Sequence, residues 1–222
     1  DSTHVLATVR SLNRLECVGE TLRRVLDDLA RVAPDWLLAQ ITPDWFDRYG
    51  ARIEAYRLPK EQAEREALQV QIGQDGFCIL TAIYGDQAPT WLREIPAVEV
   101  MRLIWIQQYY VQDDQIKWRD KKDLPPFKQL IVSPDDPEAR NRTKRDTNWT
   151  GYAVHLTETC EAEGPNIITH VETTPATTAD VEVTDTIHEA LADKELLPGE
   201  HLVDTAYTSA DQLLDSRRNL IG

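Results

Sequence analysis

The stretch that decides the fold is Trp149 to Cys160, WTGYAVHLTETC, with its continuation Asn166 to Thr173, NIITHVET. Tyr152, Val154 and Leu156 alternate with Ala153, His155 and Thr157, the period of two expected of a half-buried strand. Gly164-Pro165 supplies a turn, so Asn166 to Thr173 is expected as the hairpin partner. Downstream, Thr178 to Leu197 is predicted as a helix with a Thr cap and acids in its first turn. Pro198-Gly199 ends it, and the apolar triplet His201-Leu202-Val203 is predicted as a short strand delivering Asp204 at its tip. Ser209 then caps a last helix through Leu213, Leu214 and Arg218. A hairpin followed by a helical crossover implies a mixed sheet in which the strand bearing Asp204 runs parallel to a neighbour. In open sheets of this kind chemistry gathers at the carboxyl ends of strands, where Asp204 stands.

Upstream, residues 2–9 are rich in β-branched residues and predict a strand at the very start. From Leu12 to Val32 the residues Leu15, Leu22, Val25, Leu26, Leu29 and Val32 recur at helical spacing, with Pro34 beyond the end. Pro34 and Pro43 each precede Asp-Trp, a first-turn signature. Lys60 to Tyr84 predicts a longer helix, weakened by Gly73 and Gly76, and Pro96 opens another that carries Val98, Met101, Ile104 and Trp105. Asp113-Asp114 predicts a turn between two strand-like pieces, after which repeated prolines imply a long connection. Trp36, Trp45, Trp91 and Trp105 are expected in core positions. The pattern is therefore α/β: a first core strand within 1–11, a mainly helical insertion over 12–130, and the remainder of the core over 131–222.

Composition narrows the function classes. The chain has 222 residues, 24 Lys plus Arg against 38 Asp plus Glu, and a formal charge of −14. Such a balance opposes a general grip on nucleic acid, so any polyanion contact must be local. Residues 117–145 carry nine bases and five acids, whereas 146–204 carry thirteen acids and the single base Lys194. The local candidate is Arg140, Arg142, Lys144 and Arg145, followed by Trp149, an aromatic able to stack on a base; the plainer reading of the run is a solvated loop. Three cysteines without a C-x-x-C pair exclude a disulfide scaffold or zinc ribbon, and a cytoplasmic, non-membrane protein is expected. The five histidines have no metal-ligand spacing and are expected to be structural. The chain opens on Asp and its one Met is Met101, so a fragment of a longer protein is expected.

Several segments together resemble the DDE transposases of bacterial insertion sequences, whose catalytic domain is RNase H-like. They are DSTHVL (1–6), SPDDPEAR (133–140), Lys144-Arg145, WTGYAVHLTETC (149–160), ITHVETTPA (168–176) and LPGEHLVDTAY (197–207), and the likeness runs the whole length in order. The resemblance implies an RNase H-like mixed sheet with a large helical insertion between the first and second core strands, truncated here. It implies that Asp1 and Asp204 are the first two catalytic, metal-binding acids, with Mg2+ (or Mn2+) as cofactor. It also implies DNA as partner, both transposon ends and target, a homodimer or higher assembly on DNA, and phosphate contacts from Arg140, Arg142, Lys144 and Arg145. Phosphoryl transfer suits such a set, because two divalent ions about 4 Å apart activate the attacking oxygen and stabilise the leaving one.

The departures are specific. Only Asp211 and Asp215 follow Asp204, and neither matches the third position of the triad, so these residues alone are expected to lack the complete activity. Members of the family carry Gly where Ala206 stands and Lys where Ala153 stands. The helical insertion has a plain role as a packed subdomain and a sharper one in shaping the DNA channel or a dimer contact. The sequence is also compatible with a decayed, noncatalytic remnant acting at most as a DNA-binding or interaction piece, and with an RNase H-like nuclease without strand transfer.

Overall fold

A computed structural model describes residues 2–8, 12–144, 146–160, 164–210 and 214. The chain is mixed α/β, with a sizeable helical segment between its first strand and the rest of the main sheet. It divides into two compact units, Val9–Pro137 on one hand and Asp1–Thr8 with Glu138–Gly222 on the other. Among the described residues no helix is long and apolar enough to cross a membrane.

In the Val9–Pro137 unit, α1 (Arg14–Val32) starts where Asn13 accepts from the amides of Leu15 and Glu16, both at 3.1 Å, while Glu16 accepts from the Asn13 amide at 3.0 Å. This reciprocal cap contributes about 1 kcal/mol. The helical spacing turns Leu15, Val18, Leu22, Val25 and Leu29 inward, all at 2% exposure or less. Two short helices follow, α2 (Pro34–Leu38) and α3 (Asp44–Tyr49), then α4 (Gln62–Tyr84) and α5 (Pro96–Gln108). The glycines of α4 are packing requirements rather than weaknesses. A Cβ on Gly76 would lie 2.0 Å from the Trp105 ring, whose indole N–H donates to the Gly73 carbonyl at 3.2 Å. Trp45 and Trp105 are buried as expected and Trp36 packs against the core, but Trp91 is 44% exposed.

The hairpin β2 (Tyr109–Gln112) and β3 (Gln115–Trp118) closes this unit. Asp113 and Asp114 turn it with φ of 53° and 56°, two consecutive left-handed residues, the geometry that matches strand twist in a two-residue turn. Tyr109 and Trp118 pair across it and face inward. Arg14 locks the hairpin to α1: its guanidinium stacks 4.3 Å from the Trp118 ring and donates to Gln108 and to the Arg119 carbonyl.

In the other unit the long strand β5 (Thr147–Glu158) is central. β1 (Ser2–Leu6) pairs with it on one side; on the other, β4 (Arg140–Lys144) pairs with its first part and β6 (Ile168–Pro175) with the rest. All these pairings are antiparallel. The register sets Ser2 opposite His155 and His4 opposite Ala153. A helix, α6 (Thr184–Asp193), packs on β6 and contributes Ile187 and Leu191 to a small second core that Val183 and Tyr207 complete.

Three expectations need correction. The triplet at 201–203 forms no strand, so no parallel partner for β1 exists among the described residues and the two sheets are separate and antiparallel. The reason is local: Leu202 is 71% exposed, and a triplet hemmed by Pro198-Gly199 and the turn at Thr205–Tyr207 offers few ladder bonds. The helix predicted over 178–197 begins only at Thr184, because Asp180–Glu182 closes a 3-10 turn first, and it ends at Asp193, ahead of Glu195 with its φ of 59°, rather than at Pro198-Gly199. Arg140–Lys144, read as a loop, is strand β4. The last predicted helix lies almost wholly outside the described residues.

Candidate functional site

Alternation along β5 gathers one face of the sheet. Trp149, Gly151, Ala153 and His155 share it with Ser2 and His4 of β1, Arg142 of β4, and Glu172 and Thr174 of β6. Gly151 has to be glycine, since its φ is +152° and a Cβ would lie 2.2 Å from the Val5 carbonyl oxygen. A cleft of about 350 Å³ opens on this face between Ser2, His4, Arg142, Lys144, Trp149 and Ala153. A larger one of about 600 Å³ runs past Ser2 and Thr3 toward α6, His201 and Tyr207. Ser2 and Thr3 line both.

Asp204 enters through the turn that follows it. The Tyr207 amide donates to the Asp204 carbonyl at 2.9 Å, closing the 3-10 turn Thr205–Tyr207. Tyr207 is buried, and its hydroxyl meets His155 Nδ1 at 2.7 Å and also bonds Ser2. His155 Nε2 meets the Thr174 hydroxyl at 3.2 Å, and the Tyr207 carbonyl accepts from the Thr184 hydroxyl at 2.8 Å. The chain from Asp204 to Tyr207 is thus pinned to the central strand, at the start of β1, and to α6. Burial raises the Tyr207 phenol and lowers the His155 imidazole, so both stay neutral at ordinary pH.

The Asp204 carboxylate itself is exposed. The Thr205 hydroxyl, at 3.1 Å, lowers its pKa most, followed by the backbone amide of Ala206, with the Lys144 charge adding to the effect. It is therefore ionised, and among the described residues it has no ion-pair partner. Ala206 keeps a negative φ within the turn, so a residue with a Cβ fits there without strain.

Arg140, Arg142 and Lys144 share one face of β4 but differ in what they hold. Arg142 is committed internally: its guanidinium donates to the carbonyls of Ala176 and Thr178 at 2.8 and 3.2 Å and lies 5.9 Å from the Trp149 ring. Arg140 donates to the Ala139 carbonyl and Lys144 is exposed. Trp149 is 8% exposed and packs on His4, so it offers no free face to a base. Asp1 and Arg145 lie outside the described residues. Among those described, no group of three His, Cys, Asp or Glu residues is arranged to hold a metal ion.

The link through Tyr207, His155 and Thr174 escapes the sequence reading. The signals for it are a histidine on the inward phase of β5 and an aromatic three residues past the exposed acid. No protein-family model, no curated protein and no solved structure matches the chain.

Proposed function

We propose that the chain is part of a DDE transposase of the bacterial insertion-sequence kind, with an RNase H-like catalytic unit that cleaves DNA and transfers strands. The observation that carries this is the pinning of the Asp204 turn, through Tyr207, to His155 and Ser2, because Ser2 directly follows Asp1, the acid that the resemblance pairs with Asp204. Asp1, Asp204 and a glutamate supplied elsewhere would hold Mg2+ or Mn2+. The donors suit that role: an ionised carboxylate without an ion-pair partner among the described residues, beside the hydroxyl of Thr205, is a hard oxygen set of the kind divalent magnesium prefers. When bound, the metal supplies Lewis-acid activation of the attacking oxygen and stabilisation of the leaving one.

The chain's own side chains set the frame for that chemistry. Tyr207 and His155, both neutral, fix the Asp204 backbone without placing a competing charge beside it. Lys144 stands close enough to influence Asp204 and is exposed to meet a phosphate, whereas Arg142 holds the loop after β6 in place. Ala153, where the family has Lys, lines the same cleft as Arg142 and Lys144, so that cleft keeps cations from β4 in its stead. Strand joining at two DNA ends would need at least two copies of the chain.

The test is Mn2+ binding, followed by electron paramagnetic resonance, together with nicking of supercoiled DNA. Binding that is lost in Asp204→Asn and in Asp1→Asn supports the assignment. Binding indifferent to both substitutions would sink it. Metal-dependent nicking without joining of a 3′-hydroxyl end would select the nuclease reading instead.

A further inference from the structure

The Val9–Pro137 unit carries a cationic face that the site above does not use. Its arginines on and near the helices are mostly neutralised: Arg23, Arg24, Arg31, Arg48, Arg57 and Arg102 all pair with carboxylates. Four cations of the β2–β3 hairpin region are not: three follow its base, and Lys117 of β3 reaches toward its turn. Lys117, Arg119, Lys121 and Lys122 have no carboxylate partner among the described residues. Asp120, between them in sequence, lends its charge to Arg14. Lys117 reaches Gln112 at 3.1 Å, and Arg119 donates to the Ile106 carbonyl at 3.2 Å while lying 5.5 Å from the ring of Tyr110. Tyr110 and Lys117 are register partners, so they share the hairpin face opposite the one that carries Tyr109 and Trp118. Lys121 and Lys122 follow in an exposed 3-10 turn that Asp123 completes, leaving an excess of positive charge over residues 117–123.

Four cations without carboxylate partners among the described residues, beside a partly exposed aromatic on a chain of formal charge −14, form a local anion-binding face. We infer that this face holds the phosphate backbone of nucleic acid, an inference that rests on the DNA-processing reading above and adds a second contact to it. A two-stranded ribbon has the width of the DNA major groove, but the tip of this one is Asp113-Asp114, which phosphates would repel. The ribbon therefore lies with its base against the backbone and its tip turned away, and binding is independent of sequence. Arg119, held by Tyr110, presents its remaining N–H donors to phosphate oxygens, and the lysines act as point charges.

The experiment is fluorescence anisotropy of the full chain with a labelled duplex of arbitrary sequence, between about 50 and 200 mM salt. The triple variant K117Q/K121Q/K122Q spares Arg119 and its backbone bond. It is expected to weaken binding at least about tenfold at the low-salt end and to make the slope of log affinity against log salt shallower by about 2.7. D113N/D114N, which the left-handed turn accepts readily, is expected to bind more tightly at low salt. If the parent chain binds DNA and the triple variant keeps its slope while Lys144→Gln loses affinity, the hairpin inference is overturned and the functional reading stands. If the parent chain does not bind DNA at low salt, both fall. If polyglutamate competes as well as duplex at matched charge, the face serves an acidic polypeptide and the inference is wrong. Circular dichroism checks that each variant folds, and K121Q/K122Q alone carries the test if the triple variant does not.

Discussion

Tyr207→Phe removes one oxygen from the link that holds the Asp204 turn, and leaves the ring. In the native chain that hydroxyl lies 2.7 Å from His155 Nδ1, with the tyrosine at 4% exposure and the histidine at 1%. In either tautomer of His155 both ring nitrogens are matched by a hydroxyl, Tyr207 on one side and Thr174 on the other, since a hydroxyl can donate or accept. Without the phenol, Nδ1 is left buried and unmatched, at a cost of about 2 kcal/mol. For a chain of 222 residues that melts as one, this lowers Tm by about 4–8 °C, and by more where the unit melts separately. The assay is thermal unfolding followed by circular dichroism, with Thr208→Val as control. Thr208 donates to the Thr205 carbonyl in the same turn but is exposed, so its loss should cost less than about 0.5 kcal/mol. A Tyr207→Phe protein melting within about 1 °C of the parent chain would refute the reasoning, because it would mean that the buried imidazole does not depend on this partner.

Other outcomes follow from the same geometry. Burial lowers the pKa of His155, His188 and His201 below the ordinary value of 6.5, so the unfolded chain takes up protons first as the solution is acidified. Their contribution is therefore complete above pH 6.5 and is lost as pH falls from there toward the native values. Urea midpoints should drop between about pH 7.5 and 5.5, and less in H155N/H188N/H201N; a flat profile in the parent chain would contradict the sign. Gly151→Ala sets a Cβ against the Val5 carbonyl at φ +152° and should destabilise by about 2–4 kcal/mol in a urea titration, whereas a near-neutral effect would mean that β1 and β5 separate freely. Burial pushes the Cys17 thiol up to about 12, while Cys78 and Cys160 are exposed, so a thiol reagent at about pH 8 should modify two cysteines quickly and Cys17 only on unfolding.

Where apolar periodicity is strong, the sequence alone is enough. The apolar residues of α1 face inward from Leu15 to Leu29, with Val32 at the helix end left exposed, the bounds of α4 and α5 fall within two residues of the expected ones, and Asp113-Asp114 turns the hairpin as its composition implies. Periodicity fails where tertiary context decides. The triplet at 201–203 is apolar enough to be a strand, but strand identity depends on a partner, and the inward anchor nearby is Tyr207, which fixes the chain as a turn. At Thr178 the cap residue is right in type, yet Arg142 takes the Thr178 carbonyl, and the helix waits until Thr184. Asp204 is legible as an exposed acid after an apolar triplet, but what holds it is not. His155 lies 19 residues from Thr174 and 52 from Tyr207, and the three stand in separate elements. No local pattern spans such distances, so the hold on Asp204 is visible only once β5 and β6 have paired.

The basic run shows how a strand changes the meaning of charges counted along a chain. Arg140, Arg142 and Lys144 stand two apart, the period of a strand, but the positions between them are Asn141 and Thr143 rather than apolar residues, so hydrophobic alternation could not reveal β4. Once the strand forms, Arg142 lies beside Trp149 and gives one guanidinium nitrogen to two backbone carbonyls, which engages it in holding the loop after β6. Lys144, at the end of the same strand, stays exposed and acts on Asp204. A neutral residue at 142 should therefore damage folding more than DNA affinity, and a neutral residue at 144 the reverse. Comparing the melting temperature and the DNA salt slope of Arg142→Gln with those of Lys144→Gln separates the two roles, and equal effects on both readouts would show that their different partners do not set different roles.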